Sequence, residues 1–180
     1  MADFYPYLVA SLPTLHFGMK PPFSYEQFLE LCRRFIPTKD YHYLTILPPP
    51  VQYTEKAKRP VIIEKWIRFD SALRNELVKI RSERRQGDAL PYTRHSRYTG
   101  PSLTPYIAAA TINRSPMEAE KLLDEIRWKM LDELAGNHYF DFDALVAYAY
   151  KLLILQRWET IQRAEGITLL HEALGLGEGT

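Results

Sequence analysis

Asp143–Leu155 reads DALVAYAYKLLIL. After Asp143, its only charged residue is Lys151. Drawn as a helix, the stretch is apolar on nearly every side, whereas a helix at a protein surface keeps one polar face. Either lipid or protein must therefore cover it. A membrane span needs about 20 predominantly apolar residues. The run Ala144–Leu155 is much shorter, carries Lys151 inside it and meets Gln156, Arg157 and Glu159 directly afterwards. No direct membrane insertion is expected, and the cover must be protein.

The nearest cover in sequence lies just upstream. Ser115 is placed to cap a helix, Pro116 suits its first position, and Glu118 completes a capping box. The pattern predicts a helix to about Ala135, with Leu122, Leu123, Ile126, Met130, Leu131 and Leu134 on its apolar side and Gly136 as its end. After the turn NHYFD, Asp141 or Asp143 caps the next helix, which runs to about Ala164 and stops at Gly166. A last short helix is expected at Ile167–Leu174. Two long helices joined by a short connection pack as an antiparallel hairpin. The other flank of the apolar helix (Val146, Ala147, Tyr150, Leu153, Ile154) then needs a second cover, which would make this helix the central one of a bundle. The alternative leaves that flank open as a docking face.

Further upstream, Val61 opens a long helical pattern with Ile62, Trp66, Phe69, Leu73, Leu77 and Ile80 as its stripe and Gly87 as its end. Ser24 and Gln27 form a second capping box, before a stripe of Tyr25, Phe28, Leu29, Cys32 and Phe35 that Pro37 terminates. Thr38 is placed to cap a short helix over Lys39–Leu47. The opening FYPYLVASLP fits a buried strand or a short helix, and periodicity does not choose between them. The stretches FDSALRNELVKIRSERR and DFDALVAYAYKLLILQR share a cap before Ala-Leu, a lysine at one offset (Lys79, Lys151) and a later arginine (Arg85, Arg157), as duplicated hairpins would. The expected fold is all-α: a bundle of about six helices with a C-terminal antiparallel helical hairpin and an irregular N-terminal segment, forming one domain over 1–180. Residues 88–105 hold three prolines and a glycine among basic residues and are expected to form a mobile basic loop.

At 180 residues the chain can bury roughly 70% of its unfolded surface without metal or disulfide staples. Lys and Arg number 23 against 22 Asp and Glu, a net charge of +1. That balance argues against a DNA binder working by bulk charge. Cys32 is the single cysteine and sits in an apolar pattern. A free thiol fits a reducing cytosol, and the N-terminus lacks the basic start of a signal peptide.

Motifs for chemistry are scarce. There is no glycine-rich phosphate loop, and the five histidines lack zinc-site spacing. No cofactor, metal or catalytic residue is expected. Asp141 and Asp143 resemble an acid/base pair only until helix capping accounts for them. Core packing is the expected role for at least two of Trp66, Trp128 and Trp158. The candidate partner-binding residues are Arg81, Arg84, Arg85, Arg94, Arg97 and Tyr98: a basic patch with Tyr92 and Tyr98 interleaved, suited to RNA or to an acidic protein. Solvated arginines at a helix C-terminus would give the same pattern.

Three stretches resemble a known family. YPYLVASLPTL looks like the opening YYLVASLP of an uncharacterised bacterial family encoded beside V-type ATP synthase subunits. FSYEQFLELCRRF resembles the segment that follows it there. SPMEAEKLLDEIRWKMLDELAGNHYFDFDALVAYAYKLLILQRW is similar to that family's most recognisable block. That family has no established activity. The resemblance implies a non-catalytic accessory or structural component associated with a bacterial V-type ATP synthase. Its partners would be protein subunits of that motor, and its place the cytoplasm, peripheral to the membrane through the complex. More faintly, the helices are similar to the C subunit of V/A-type ATPases (d in eukaryotes), a socket of three helical repeats longer than this chain. The other function class is a basic-patch module binding RNA or an acidic protein partner.

Overall fold

The computed structural model describes residues 4–47, 59–84, 93, 97–112 and 115–173, with the side chains of 84, 111 and 166–173 left aside. Among them the fold is all-α. Seven helices occur in the order α1 (Pro6–Ser11), α2 (Tyr25–Arg33), α3 (Thr38–Thr45), α4 (Val61–Arg84), α5 (Thr104–Thr111), α6 (Pro116–Ala135) and α7 (Phe142–Ala173). The chain divides into two compact units: Met1–Tyr41 with Tyr139–Thr180, and His42–His138.

In the first unit the ambiguous opening is a helix. Pro6 pre-sets the backbone at the start of α1, and Leu8 turns into the core with 1% exposure. What remains of strand character is a single antiparallel bridge between Phe4 and Asp141, with the Tyr5 amide donating to the Phe140 carbonyl. The Tyr5 hydroxyl donates to Asp40 Oδ2 at 2.7 Å. Gly18 turns the following loop at φ 85°, a left-handed conformation that side-chain-bearing residues rarely adopt.

The Ser24–Gln27 capping box forms in both directions and starts α2. Phe28 and Cys32 are fully buried, as their spacing predicts, but Phe35 is exposed and Ile36 takes the core position. The α-helix ends at Arg33, and the Arg34 and Phe35 amides donate to Leu31 and Cys32, three residues back. That tighter turn advances the chain by about 120° per residue instead of 100° and carries Phe35 off the stripe. Thr38 is the first residue of α3 rather than its cap.

Asp141 caps α7, its Oδ1 accepting the Ala144 amide at 3.1 Å. Leu145, Val146, Ala149 and Leu152 have no exposure at all, and Ala147, Tyr150, Ile154 and Leu155 are buried. Neither flank of DALVAYAYKLLIL is therefore an open face, and the docking-face alternative for Val146 and Ile154 is corrected. Part of the cover comes from α2, where Phe28 stacks on Tyr148 at 5.5 Å. The Tyr148 hydroxyl donates to the Pro13 carbonyl. The expected stop at Gly166 does not occur, and α7 continues to Ala173 without a separate last helix. A mid-helix glycine costs about 1 kcal/mol, no proline follows it, and nothing else forces a break.

In the second unit α5 packs on both α4 and α6. Ile107 and Ala110 of α5 are fully buried. Periodicity did not flag TPYIAAAT as a helix. Along α4 the stripe from Ile62 to Leu77 is buried as expected, while Ile80 is half-exposed. Val61 opens α4 ten residues before Ser71, so Asp70 and Ser71 are mid-helix residues, not caps. The proposed duplication thus loses its shared cap. Trp66 and Trp128 are buried and Trp158 is half-buried.

Candidate functional site

The most concentrated chemistry among the described residues is a charged cluster between α4 and α6. Two short spacings build it. Asp70 and Arg74 lie four apart on α4, and Asp124 and Arg127 lie three apart on α6, so each pair shares a helix face. Arg127 Nε donates to Asp70 Oδ1 at 3.0 Å, and its terminal nitrogen donates to Asp124 Oδ1 at 2.7 Å. Arg74 Nε donates to Asp70 Oδ2 at 2.8 Å. Asp70 and Asp124 are each 1% exposed and Arg127 is 8% exposed. Two carboxylates and two guanidiniums balance to zero charge.

Burial pushes the Asp70 carboxyl up, but Arg127 and Arg74 outweigh that and hold it below the ordinary carboxylate range. Burial likewise disfavours the Arg127 cation, yet the carboxylates of Asp70 and Asp124 raise its affinity for its proton. Asp70 and Arg127 therefore keep their charges at neutral pH, with both oxygens of Asp70 occupied. A carboxylate held ionised between guanidiniums does not serve as a proton donor near neutrality. What the cluster does is fix α6 against α4, because any slip would leave a buried charge unpaired.

The signal for this cluster was present in the spacing. Trp66, Asp70, Leu73 and Leu77 follow i, i+4, i+7, i+11, and Leu123, Arg127 and Leu131 follow i, i+4, i+8. One charge of each sign falls on an apolar stripe, where only pairing makes it tolerable. Of the expected apolar side of α6, Leu123 and Leu131 are buried while Leu122, Ile126, Met130 and Leu134 are half-buried; the buried side also takes in Asp124, Arg127 and Trp128.

The residues expected to bind a partner are placed as follows. Arg81 is exposed on α4, with a loose 3.9 Å pairing to Glu120 of α6. Arg84 ends α4, and its side chain is outside the description. Arg85 and Arg94 lie outside the described residues, as does Tyr92. Arg97 is exposed, whereas Tyr98 is half-buried. The Tyr98 ring meets Phe69 edge-on at 5.9 Å, in a row that continues to Trp66 at 5.7 Å. Any side chain at Gly100 would run into the Tyr98 ring. Burial, then the Glu133 carboxylate, pushes the Tyr98 phenol up. Tyr98 thus anchors its segment to α4 instead of offering a ring for stacking. Leu103 is buried, and the Thr104 hydroxyl donates to Glu76 of α4 at 3.0 Å. The end of the expected basic loop is therefore pinned, and its last two residues, Thr104 and Pro105, belong to α5. The rest of 88–105, apart from Thr93 and 97–103, is outside the described residues.

Asp141 has the capping role already described, and Asp143 follows in the first turn of α7. Cys32 is fully buried, and burial pushes its thiol up to about 12. Among the described residues no group of three or more His, Cys, Asp or Glu could hold a metal ion, and no helix is long and apolar enough to cross a membrane.

Residues 107–176 match the model of a family described as a protein of unknown function, DUF2764. The match takes in most of α5 and all of α6 and α7 and contains the longest of the three resembling stretches. No curated protein and no solved structure matches the chain.

Proposed function

We propose that this chain is a non-catalytic accessory or structural component associated with a bacterial V-type ATP synthase, bound to its protein subunits and not inserted in the membrane. The observation that favours a structural role is the use of its buried charges. Asp70, Asp124 and Arg127 pair with one another, and with Arg74, to lock two helices. The motor association rests on the resemblance of the opening, of the Ser24 helix and of the block from Ser115 to Trp158. The family match over 107–176 is compatible with it and carries no activity of its own.

The test is affinity purification of the tagged protein from its native cells, with quantitative mass spectrometry against an untagged control. V-type ATP synthase subunits should be enriched in the eluate and stay enriched after nuclease treatment. An eluate without them overturns the reading, and nuclease-sensitive enrichment of RNA-bound proteins favours the basic-patch module instead.

A further inference from the structure

The segment from Phe4 to Pro13 lies on the first unit with few of its own side chains inside. Tyr5, at 6% exposure, and Leu8, at 1%, are its buried residues, while Pro6, Tyr7, Ala10, Ser11 and Pro13 are exposed. Its helix α1 has six residues and no side-chain cap. A helix well short of about 12 residues does not hold itself together in water, so α1 persists through what its segment is tied to.

The polar ties sit at the two ends. At the front, the Phe4 backbone bridges to Asp141, the Tyr5 amide donates to the Phe140 carbonyl, and the Tyr5 hydroxyl donates to Asp40 Oδ2 at 2.7 Å. One residue thus reaches both the strip before α7 and the first turn of α3. At the back, the Pro13 carbonyl accepts the Tyr148 hydroxyl at 3.0 Å. Between these anchors Leu8 is the one buried side chain, and the Tyr7 ring meets Phe35 at 5.5 Å with both rings exposed. The helices underneath are held by other means. Leu145, Val146, Ala149 and Leu152 of α7 have no exposure. Tyr148 is stacked by Phe28 of α2 and by Phe23, neither of which belongs to the segment.

We propose that residues 4–13 form a strap, pinned by Tyr5, that opens as a unit while α2 and α7 stay folded. Local stability follows the apolar contact a segment buries, and this one buries two side chains where α7 buries a continuous run. The Tyr5 phenol is the pin because a hydroxyl donating to a carboxylate makes a stronger bond than a neutral pair does. Opening uncovers the Phe140 carbonyl, the Asp40 carboxylate and the Tyr148 hydroxyl together, three polar groups that the closed strap occupies. The strap goes beyond the accessory-protein reading and does not depend on which partner the chain has.

Hydrogen–deuterium exchange of the full chain, read by mass spectrometry in dilute urea, tests it. The Val9–Leu12 amides should exchange at least about a hundredfold faster than those of Leu145–Leu155. Their rate should not change with urea below the unfolding transition, whereas that of the α7 core should rise with it. Tyr5→Phe keeps the buried ring and loses the bond to Asp40. It should speed exchange of the strap by about fivefold or more and leave the α7 core rate and the circular dichroism melt as in wild type. Leu8→Ala should speed the strap likewise in a folded protein. Equal exchange of strap and core in wild type overturns the proposal, as does a Tyr5→Phe strap rate equal to wild type. So does either variant that speeds the α7 core alongside the strap, or a Leu8→Ala chain that unfolds, since the segment would then be part of the core.

Discussion

Arg127→Leu removes the guanidinium that Asp70 and Asp124 share while keeping much of the side chain's apolar bulk. Asp70 retains Arg74, whose side chain is 36% exposed and so partly solvated. Asp124, at 1% exposure, loses its 2.7 Å charge-assisted bond. Breaking a buried ion pair from one side costs about 3–5 kcal/mol, a large share of a total stability of roughly 5–15 kcal/mol. At a urea slope of about 2 kcal/mol per molar, the unfolding midpoint at pH 7 should fall by about 2 M. The pH dependence gives a second handle. In wild type the Asp70 carboxyl sits below its ordinary value, so its contribution is present above the unfolded pKa of about 4 and is lost as pH falls through the lowered folded value. Without Arg127, burial gains over pairing, and Asp70 takes up its proton at higher pH in the folded variant. Protonation of Asp70 lowers the net negative charge left buried when Arg127 is gone, so the gap between variant and wild type should narrow as the pH drops toward 4. Far-UV circular dichroism in urea at pH 7 and pH 4 measures both effects. The triple variant Asp70→Leu/Asp124→Leu/Arg127→Leu should recover much of the lost stability, because apolar replacement of a whole buried pair is often neutral. An unchanged midpoint for Arg127→Leu at pH 7, or a loss of equal size at both pH values, would refute the lock.

Ser115→Ala should lower stability by about 1 kcal/mol, since the Ser115 hydroxyl accepts the Glu118 amide and Glu118 returns the bond; a urea midpoint equal to wild type counts against the cap. Leu152→Asp places a carboxylate at a site of no exposure and should cost several kcal/mol, enough to lose the cooperative circular dichroism melt. Cys32 should resist Ellman's reagent at pH 8 in the native protein and react within seconds in denaturant, because its thiol is buried and pushed up to about 12; rapid native labelling would place it at the surface.

The features legible in the sequence are those set by neighbours within one turn. Ser24 with Gln27 and Ser115 with Glu118 form their boxes because three-residue spacing alone decides which groups meet. The run from Ala144 to Leu155 declared its burial because few polar atoms interrupt it. Where two local rules compete, the sequence leaves the outcome open. Gly166 permits a stop without imposing one, and Phe35 leaves the core only because α2 tightens at its end. The ion cluster needed a longer view: Arg127 and Asp70 are 57 residues apart, and each looked like an ordinary surface charge on its own helix. The exposed aromatic rings, among them Tyr7 and Phe35, are the hardest case. Tyr7 and Phe35 carry the same hydrophobic signal as buried Tyr5 and Phe28, so composition assigns all four to the core. The bridge at Phe4 and the turn after Arg33 decide which rings face outward, and both come from backbone geometry that hydrophobicity does not encode. Apolar residues left outside after the core is filled are therefore informative in a way the pattern is not. Arg33 and Arg34, exposed beside Phe35, enter no ion pair among the described residues, whereas the buried Arg127 is engaged with the carboxylates of Asp70 and Asp124: the same residue type is spent on the fold only where burial makes an unpaired charge costly.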